Sequence, residues 1–451
     1  MVEACNRCSD DLLYARGGIV PFQMDNRSFK KTCTAVARGF NTSEPSSPPT
    51  RLATETVSPA ASALKLLLAT YGSRGDVEPM IALAHTLCER GHSVHLCVPD
   101  NAISSVKGYG FSCSSSGVDY HFCFGSGDGT YRIFPRVASQ ISRQLESALN
   151  AASGVDAIVA GGLHAGASSV AQLLGVPYFY MLLSQRYLRC TRQPGMFSSI
   201  MWSPIDLASA ILSAPLSLTR MRHRLPPVLS AYRQVVTSGT LFIACDPLLC
   251  QASLDYPGVV TGAWRRPLQQ VYQCLRREGV YIGFGSMIHS NPIALSELLA
   301  RAVADINEPV TLYRGWSGLT SASPQMVLVD EVDHDQLFRQ VRVVVHHGGA
   351  GTVAAAIRAG VPQVIVPHRG DQFYFARQLQ RLGVAPPPVP LSRLSVSRLS
   401  SAISAAMTPP FQLTASDLAR QVRPLNGPLN AVLHIEASVA NCSRKRSTFR
   451  P

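Results

Sequence analysis

A pair of histidines followed by a glycine-rich run is the part of this chain best suited to hold an anion. The run, HHGGAGT, begins at His346, follows the apolar pattern RVVV and opens a helical pattern at Thr352. Its small residues allow the backbone to approach a ligand closely, and they are Gly348, Gly349, Ala350 and Gly351. Free N–H groups and the positive end of a helix dipole favour negative charge, so the turn predicts a pyrophosphate site. An N–H of the His346 ring can add a donor to a phosphate oxygen.

The alternative is a glycine turn that only packs a tight crossover between a strand and a helix. The two histidines before the turn and the GDQ triplet after it favour the ligand site over this alternative. The sequence contains neither GKS nor GKT at this turn, and the glycine spacing is not GxGxxG. A P-loop is therefore excluded.

Repeated strand–helix units must position this turn. The apolar run LKLLLAT from Leu64 is followed by a loop, by the helical pattern MIALAHTLCERG and by the strand pattern HSVHLCVP. A second series begins near residue 278 with VYIGFGSM and continues through RVVVHH and VPQVIVP. Such alternation predicts an α/β protein with two doubly wound parallel-sheet domains. In these sheets ligands bind beyond the carboxyl ends of the strands.

Composition excludes several other classes of protein. The 451 residues include 41 Lys and Arg against 28 Asp and Glu, a formal charge of +13, and 46% are hydrophobic while 15% are charged. Hydrophobicity this high excludes a disordered chain, and 31 Pro with 33 Gly exclude a coiled coil. No basic stretch is interleaved with aromatic residues, so we expect no nucleic-acid partner. The Ser/Thr/Pro-rich residues 1–62 predict a disordered leader.

Cysteine usage and the terminus indicate the compartment. The 12 cysteines are irregularly spaced and the N-terminus lacks a signal-peptide pattern, so we expect free thiols and a cytoplasmic protein. The uncharged stretch from Asp156 to Arg186 predicts a buried strand–helix–strand unit because it contains Pro177 and a Gly-Gly pair, and no transmembrane segment is expected. Residues 195–218 suit either core packing or an amphipathic surface helix, which leaves peripheral membrane contact open.

Four motifs carry a resemblance to a known family. HHGGAGT followed by PHRGDQFYFA resembles the donor-binding signature of GT-B glycosyltransferases, in the branch of sterol and antibiotic-aglycone glucosyltransferases. TYGSRGDVEPMIALAHTLCERGHSV is similar to the opening loop and helix of that branch, while VYIGFGSM and RGWSGL are similar to segments of its C-terminal domain. The resemblance implies the GT-B fold, with two Rossmann-like domains facing a cleft. It implies an acceptor domain over residues 63–265, a nucleotide-sugar domain over 266–430, and a helix end with a basic tail over 431–451.

The resemblance also implies donor-binding roles. Ser286 and the HHGGAGT backbone would face the diphosphate. The residues implied near the uridine are Trp316, Val332 and His334. Asp371 and Gln372 would bond sugar hydroxyls, since each hydroxyl offers a donor and an acceptor. The co-substrate would be a UDP-sugar, above all UDP-glucose, with no tightly bound cofactor and no metal, because the helix N-terminus and a histidine take over neutralisation of the phosphate.

Asp76 is the candidate catalytic base. Transfer to a hydroxyl needs a base within hydrogen-bond reach, and Asp76 is the carboxylate available in the acceptor-side loop. The rest of that loop is Gly72, Ser73, Arg74 and Gly75. A closed cleft would raise the pKa of Asp76. Alternatively, Asp76 caps a helix beginning near Glu78, and both roles can coexist.

The activity implied is inverting transfer of a hexose from a UDP-sugar to the hydroxyl of an apolar acceptor such as a sterol. One alternative is a catalytically silent protein of the same fold that binds a nucleotide sugar or a lipid. A second alternative keeps the fold but changes the chemistry, as sugar-nucleotide epimerases do, and the loop with Asp76 argues against it.

Overall fold

A computed structural model describes residues 63–117, 133–187, 204–250, 258–265, 278–330 and 333–448. The predicted leader over residues 1–62 and the predicted uridine neighbour Val332 therefore lie outside the described residues.

Two parallel β-sheets form the framework. The first contains β1 (Lys65–Tyr71), β2 (Ser93–Val98), β3 (Ser112–Ser115), β4 (Ala157–Gly162), β5 (Tyr178–Leu182), β6 (Thr240–Ile243) and β7 (Gly258–Val260). The second contains β8 (Val280–Gly283), β9 (Val310–Tyr313), β10 (Met326–Val329), β11 (Val343–His346) and β12 (Gln363–Ile365). The strand orders are β3-β2-β1-β4-β5-β6-β7 and β10-β9-β8-β11-β12. The predicted fold of two doubly wound parallel sheets is confirmed.

Helices connect the strands in both sheets. Those around the first sheet are α1 (Arg74–Glu89), α2 (Ile103–Gly108), α3 (Ile133–Ala151), α4 (Ala167–Leu174), α5 (Pro204–Arg222) and α6 (Ala231–Thr237). Those that follow are α7 (Pro292–Ile306), α8 (His334–Leu337), α9 (Ala350–Ala359), α10 (Gln372–Arg381), α11 (Val396–Ala406), α12 (Pro409–Val422) and α13 (Gly427–Thr448). Among the described residues, no helix is long and apolar enough to cross a membrane.

The continuous apolar sequence of β1 follows from its central place in the first sheet. Successive side chains of a strand point to opposite faces, and both faces of this strand are covered by helices. Leu67 and Ala69 therefore enter one core cluster, whereas Leu66 and Leu68 enter another. Both faces must be apolar, so the strand shows no alternation of polar and apolar residues.

The order of strands creates one crevice at the carboxyl edge of each sheet. In the first sheet the chain runs outward from β1 to β3 and then returns to the other side of β1 with β4. In the second sheet it runs from β8 to β10 and returns beside β8 with β11. The loops after neighbouring strands diverge at these two reversals, which is where doubly wound sheets bind ligands. The loop at Gly72–Asp76 follows β1, and HHGGAGT follows β11.

The last described helix returns to the first sheet. Ala431, Val432 and Ile435 of α13 are buried in the same apolar cluster as Leu64 and Trp264. The helix continues through much of the basic run near residue 445 and ends at Thr448. Because α13 begins at Gly427, the chain has crossed from the second sheet to the first before residue 431. The domain limits 63–265, 266–430 and 431–451 stay a prediction.

Ion pairing fixes this helix further. The Glu436 carboxylate accepts hydrogen bonds from Nε and Nη2 of Arg90 at 2.7 and 2.9 Å, and its Oε1 lies 2.9 Å from Nε2 of His92. These contacts hold the pKa of Glu436 below its ordinary value, although burial acts in the opposite sense.

Candidate active site

Asp76 lies in the first turn of α1, at the crevice of the first sheet. The helix begins at Arg74 with Ser73 as its N-cap, so the expectation that it begins near Glu78 with Asp76 as the cap is wrong. Oδ2 of Asp76 accepts hydrogen bonds from the backbone N–H of Ser73 at 2.9 Å and from its hydroxyl at 3.3 Å. The carboxylate thus satisfies the N-cap amide from the third helical position.

Two glycines allow the chain to approach this carboxylate closely. A Cβ on Gly72 would overlap Oδ2 of Asp76, and one on Gly162 would lie 3.3 Å from Oδ1. Gly162 ends β4 with φ +61°, and its carbonyl accepts a hydrogen bond from the Tyr180 hydroxyl at 2.7 Å. The carboxylate is therefore held at the reversal between β1 and β4, where the strand order predicts a ligand.

The surroundings of Asp76 make it a stronger base than an ordinary carboxylate. Burial raises its pKa to about 6, and the negative charge of Asp371 acts in the same sense, while the Ser73 hydrogen bonds partly oppose the rise. Asp76 as a whole residue is nevertheless only partly buried. A carboxyl group with this pKa is largely ionised at neutral pH and can accept a proton.

Contacts between loops of the two sheets bring the loop of Asp76 to the second sheet. Nη1 of Arg74 lies 3.4 Å from the Tyr313 hydroxyl at the end of β9. Trp316 packs against an apolar cluster of the first domain that includes Tyr71, and its backbone N–H donates to the Gly285 carbonyl at 2.9 Å. The acceptor-side loop therefore faces the carboxyl edge of the second sheet.

The backbone of the glycine turn after β11 is open on one side. Gly348 has φ +92°, which a residue with a Cβ rarely adopts, and α9 begins at Ala350 with Gly349 as its N-cap. A Cβ on Gly351 would meet no atom within 4 Å, so the space over the turn is open. The first amides of a helix have no hydrogen-bond partner within the helix. In α9 these amides belong to partly exposed residues, from Ala350 to Thr352. The turn has the geometry of an anion site.

His346 does not have the donor that the sequence suggested. The side chain is fully buried; Nε2 lies 2.9 Å from Oε1 of Gln363, and Nδ1 accepts the Gly348 amide at 3.1 Å. Burial lowers its pKa to about 4. Both ring nitrogens are thus engaged inside the domain, and His346 supports the turn instead of facing a phosphate.

His347 is the histidine that adjoins the open turn. A Cβ on Gly349 would overlap its Nε2, and a Cβ on Gly285 would lie 2.9 Å from its Cε1. Its Nδ1 is buried without a hydrogen-bond partner in the described part of the chain. Burial holds the pKa of the ring well below 6.5, with His346, His368 and Arg369 contributing. A neutral ring keeps one N–H donor beside the glycine turn.

Sequence alone could not choose between the two histidines. Strand β11 is buried on both faces and has no polar face. The alternation of its side chains therefore does not indicate which of the two histidines points toward a ligand.

Two residues of the GDQ triplet differ in their surroundings: Asp371 is partly exposed, whereas Gln372 is buried. Asp371 is partly exposed at the start of α10. Gln372 is buried; its Oε1 accepts the amides of His368 and Arg369 at 2.7 and 3.0 Å, and its Nε2 lies 3.3 Å from the Met287 sulfur. The side chain of Gln372 therefore holds the loop at His368 and Arg369, and it does not face the site where the sugar contact was predicted.

The remaining predicted donor residues lie at the same edge. Ser286 is partly exposed in the loop after β8. His334 is enclosed by aromatic rings, its Nε2 lies 3.0 Å from the Tyr281 hydroxyl, and burial lowers its pKa to about 3. The Nε2 of His334 is therefore already engaged by Tyr281.

Arg265 follows the last strand of the first sheet, and its side chain contacts the glycine turn of the second sheet. It is not among the residues predicted from the sequence. Its Nη1 donates to the Gly351 carbonyl at 2.8 Å, and its Nη2 donates to Oδ2 of Asp335 at 2.7 Å. The preceding residue, Trp264, is buried in the first domain. Nothing near RRP in the sequence distinguishes it from a surface arginine.

We expect Arg265→Lys to weaken nucleotide binding without unfolding the protein. A lysine ammonium cannot reproduce the planar fork that reaches two acceptors, so the turn loses one tether. The dissociation constant for UDP should rise about tenfold, a change of about 1.4 kcal/mol. Calorimetric titration measures it, and Arg301→Lys, on the exposed face of α7, is the matched control. Equal UDP affinities for both variants would contradict this role.

Comparison with known proteins gives consistent matches. Residues 66–190 match the glycosyltransferase family 28 N-terminal domain, and residues 297–433 match the erythromycin biosynthesis protein CIII-like C-terminal domain. Glycosyltransferase GtfE of Amycolatopsis orientalis is 31% identical over 391 residues, covering 80% of this chain and 94% of that protein. Vancomycin aglycone glucosyltransferase of the same organism is 30% identical over 410 residues, covering 83% and 98%.

More distant matches extend the range. Sterol 3-beta-glucosyltransferase UGT80B1 of Arabidopsis thaliana is 29% identical over 413 residues, covering 82% of this chain and 67% of that protein. The crystal structure of glycosyltransferase VinC in complex with dTDP superposes with a TM-score of 0.63 at 19% identity, covering 83% of this chain and all of that one. At that identity the superposition establishes the fold, which is GT-B.

Proposed function

Because this chain belongs to the glycosyltransferase family that includes GtfE and vancomycin aglycone glucosyltransferase, we propose that it moves a hexose from a UDP-sugar to an apolar alcohol. UDP-glucose is the proposed donor and a sterol or similar lipid-like alcohol the proposed acceptor. The observation that carries the proposal is the contact of Arg74, in the loop of Asp76, with Tyr313 at the carboxyl edge of the second sheet, the sheet whose glycine turn is open after β11. Family membership favours transfer over a catalytically silent binding protein.

The donor half of the proposal rests on the second sheet. The open amides at Gly349–Thr352 and the N–H of His347 would receive the diphosphate, and Ser286 in the adjacent loop would add a hydroxyl. Asp371, at the start of α10, would bond the sugar. Its charge acts on Asp76, which supports a sugar lying between the two carboxylates.

The mechanism is a single in-line displacement at the anomeric carbon. The acceptor oxygen attacks that carbon as the bond to the β-phosphate oxygen breaks, and Asp76 takes the acceptor proton. UDP leaves toward α9, and the product has inverted configuration. Preorganised N–H donors stabilise the charge that develops on the phosphate, which is commonly the largest contribution to such a rate.

The acceptor half rests on an apolar wall beside Asp76. Tyr71, the last residue of β1, is buried in a cluster with Ile141 of α3 and Leu216 of α5, and Trp316 from the second domain packs against it. Tyr71, Ile141 and Leu216 have no exposed surface, so an apolar acceptor would contact the partly exposed Trp316, which this cluster supports, and its hydroxyl would reach the carboxylate.

The test is incubation of the full chain with UDP-glucose and a panel of sterols and other apolar alcohols, including an antibiotic aglycone. Released UDP and the glucoside mass are measured, with UDP-galactose and dTDP-glucose as donor controls. Glucoside formation with at least one acceptor is expected. Tight UDP binding without transfer to any acceptor would favour the silent binding protein.

We also propose peripheral contact with an anionic membrane through α5. One face of this helix is buried, whereas Ile211, Leu218 and Met221 on the opposite face are 37, 60 and 56% exposed. Arg222 and Arg224, at and just after its end, are exposed as well. Apolar side chains beside cations fit the headgroup boundary of an anionic bilayer, where each arginine contributes about 1 kcal/mol.

The double variant Leu218→Glu, Met221→Glu should lose binding to phosphatidylserine vesicles, because it places two anions on the docking face. Cosedimentation should fall about tenfold, and binding of the unaltered protein should weaken with salt. Leu413→Glu is the control, since Leu413 is 67% exposed on α12 of the other domain. Equal binding of all three proteins would contradict the membrane proposal.

A further inference from the structure

Two histidine rings from different loops of the second sheet lie against each other. His289 is in the loop after β8 and His368 is in the loop after β12, and both residues are partly exposed. Their Nε2 atoms are 3.3 Å apart. We propose that His289 and His368 together bind one divalent transition-metal ion, such as Zn²⁺, at an accessory site. The ion takes no part in the sugar transfer proposed above, which uses neither ring.

The separation of the two nitrogens is the one that a single ion requires. Zinc binds histidine nitrogens at about 2.0–2.1 Å with tetrahedral angles, so two such nitrogens on one ion lie about 3.3–3.4 Å apart. The ring centroids are 5.0 Å apart, farther than the nitrogens, so each ring turns its Nε2 toward the other. The alternative is a hydrogen bond between the rings. A distance of 3.3 Å is long for one, because N–H donors in proteins commonly lie about 2.7–3.2 Å from their acceptors.

A hydrogen bond to the backbone prepares the His368 ring to act as a ligand. A carbonyl oxygen can only accept, so Nδ1 of His368 carries the proton in its 2.7 Å contact with the Val366 carbonyl. In the neutral ring Nε2 then has a lone pair, which is the form that binds a metal. Histidines that ligate metals characteristically donate their other ring N–H to a carbonyl or a carboxylate in this way.

Packing restrains both rings before an ion arrives. The ring of Phe284, which is fully buried, has its centroid 5.6 Å from that of His289 and 5.2 Å from that of His368. The Gln372 side chain also accepts the His368 amide at 2.7 Å. Side chains that are already held in place lose less conformational entropy when they bind a ligand.

Water completes the coordination of the ion. In the part of the chain that the structure describes, no group of three or more His, Cys, Asp or Glu side chains is arranged to hold a metal ion. Two histidine ligands leave two positions of a tetrahedral ion to solvent, which the partial exposure of both residues allows. The bound ion therefore exchanges with solution, and it ties the loop after β8 to the loop after β12.

The test is equilibrium dialysis of the full chain against a series of ZnCl₂ concentrations at pH 7, with bound zinc measured by mass spectrometry. Loss of a supporting partner already weakens metal binding about 10–100-fold, and His289→Gln or His368→Gln should weaken this site at least as much. His95→Gln is the matched control, because His95 is also partly exposed but its ring nitrogens face the hydroxyls of Ser112 and Ser114. Zinc sites formed by cysteines are common to all four proteins and cancel in the comparison. Equal zinc binding by all four would overturn the proposal.

Hydrogen exchange shows whether the two loops hold the same ion. Zinc should slow exchange in residues 284–291 and in residues 366–371 of the unaltered protein, and it should slow neither in His289→Gln. Protection of one loop alone would overturn the shared site. These measurements use neither UDP nor an acceptor, so their outcome is independent of whether sugar transfer is found.

His289→Gln also provides the folding check. His368→Gln removes the hydrogen bond to the Val366 carbonyl and lowers the midpoint of thermal unfolding if that bond stabilises the loop. His289→Gln keeps that bond, so its zinc binding decides the proposal if the other variant does not fold. Zinc binding by His289→Gln that equals that of His95→Gln would overturn it.

Discussion

Asp76→Asn should abolish most sugar transfer while leaving UDP binding unchanged. The amide keeps the shape of the carboxylate and can still accept the Ser73 amide hydrogen bond, but it cannot take a proton. General base catalysis contributes about 10²–10⁴-fold, so kcat should fall by about that factor. Initial-rate measurements give kcat, and calorimetry gives the UDP dissociation constant. Full activity in the asparagine variant would exclude Asp76 as the base, and lost UDP affinity would assign it to the donor site.

The same carboxyl group should set the acid limb of the pH profile. Its pKa is raised to about 6 by burial, so kcat/KM should fall as pH decreases through about 6, where the base becomes protonated. The Asp76→Asn variant should lack this limb.

Stability should change with pH in the opposite sense to activity. The folded protein binds this proton more tightly than the unfolded chain, whose pKa is near 3.8, so stabilisation is full below 3.8 and lost as pH rises through about 6. At pH 7, Asp76→Asn should therefore raise the free energy of unfolding by about 1–2 kcal/mol. Denaturant titrations at pH 4 and pH 7 test this, and equal differences at both would contradict a buried charge.

His347→Ala should weaken UDP binding and slow transfer, whereas His346→Ala should mainly destabilise the protein. The His347 ring lies over the glycine turn, and losing one donor to a developing oxyanion commonly costs about a hundredfold in kcat. Removing His346 leaves the Gly348 amide and the Gln363 side chain without partners, which costs about 1–3 kcal/mol of stability. Calorimetry, initial rates and thermal unfolding separate the two effects.

The pair of variants distinguishes two assignments of the phosphate donor. If His346→Ala loses UDP affinity while its unfolding midpoint is unchanged, the first histidine contacts the diphosphate as the sequence suggested. If His347→Ala binds UDP as tightly as the unaltered protein, the second does not.

The fold could be predicted because its signals are local. Apolar runs such as LKLLLAT need both sheet faces covered, and the glycines of HHGGAGT need a backbone with no Cβ near it. The positions of Asp76 and of the glycine turn follow from the strand order, which places each at a reversal. The first two inferences use one segment at a time, whereas the strand order involves the whole sheet.

Side-chain direction could not be predicted in the same way. The roles of His346 and Gln372 depend on partners distant in the sequence, Gln363 and the His368 amide, that only the fold brings together. The Tyr374 hydroxyl likewise donates to the Leu249 carbonyl, 125 positions away in the sequence. Such contacts leave no periodic pattern along the chain, so residue types alone could not show that both ring nitrogens of His346 already have partners.

The return of α13 to the first sheet sets the order in which the molecule can be completed during synthesis. Leu64, Leu66 and Trp264 share an apolar cluster with Ala431 and Ile435, although the ribosome makes the helix residues long after β1. While the second sheet is being translated, that part of the first domain stays uncovered and open to chaperones. The nascent amino-terminal half must therefore wait for α13 to emerge before its last apolar surface is sealed.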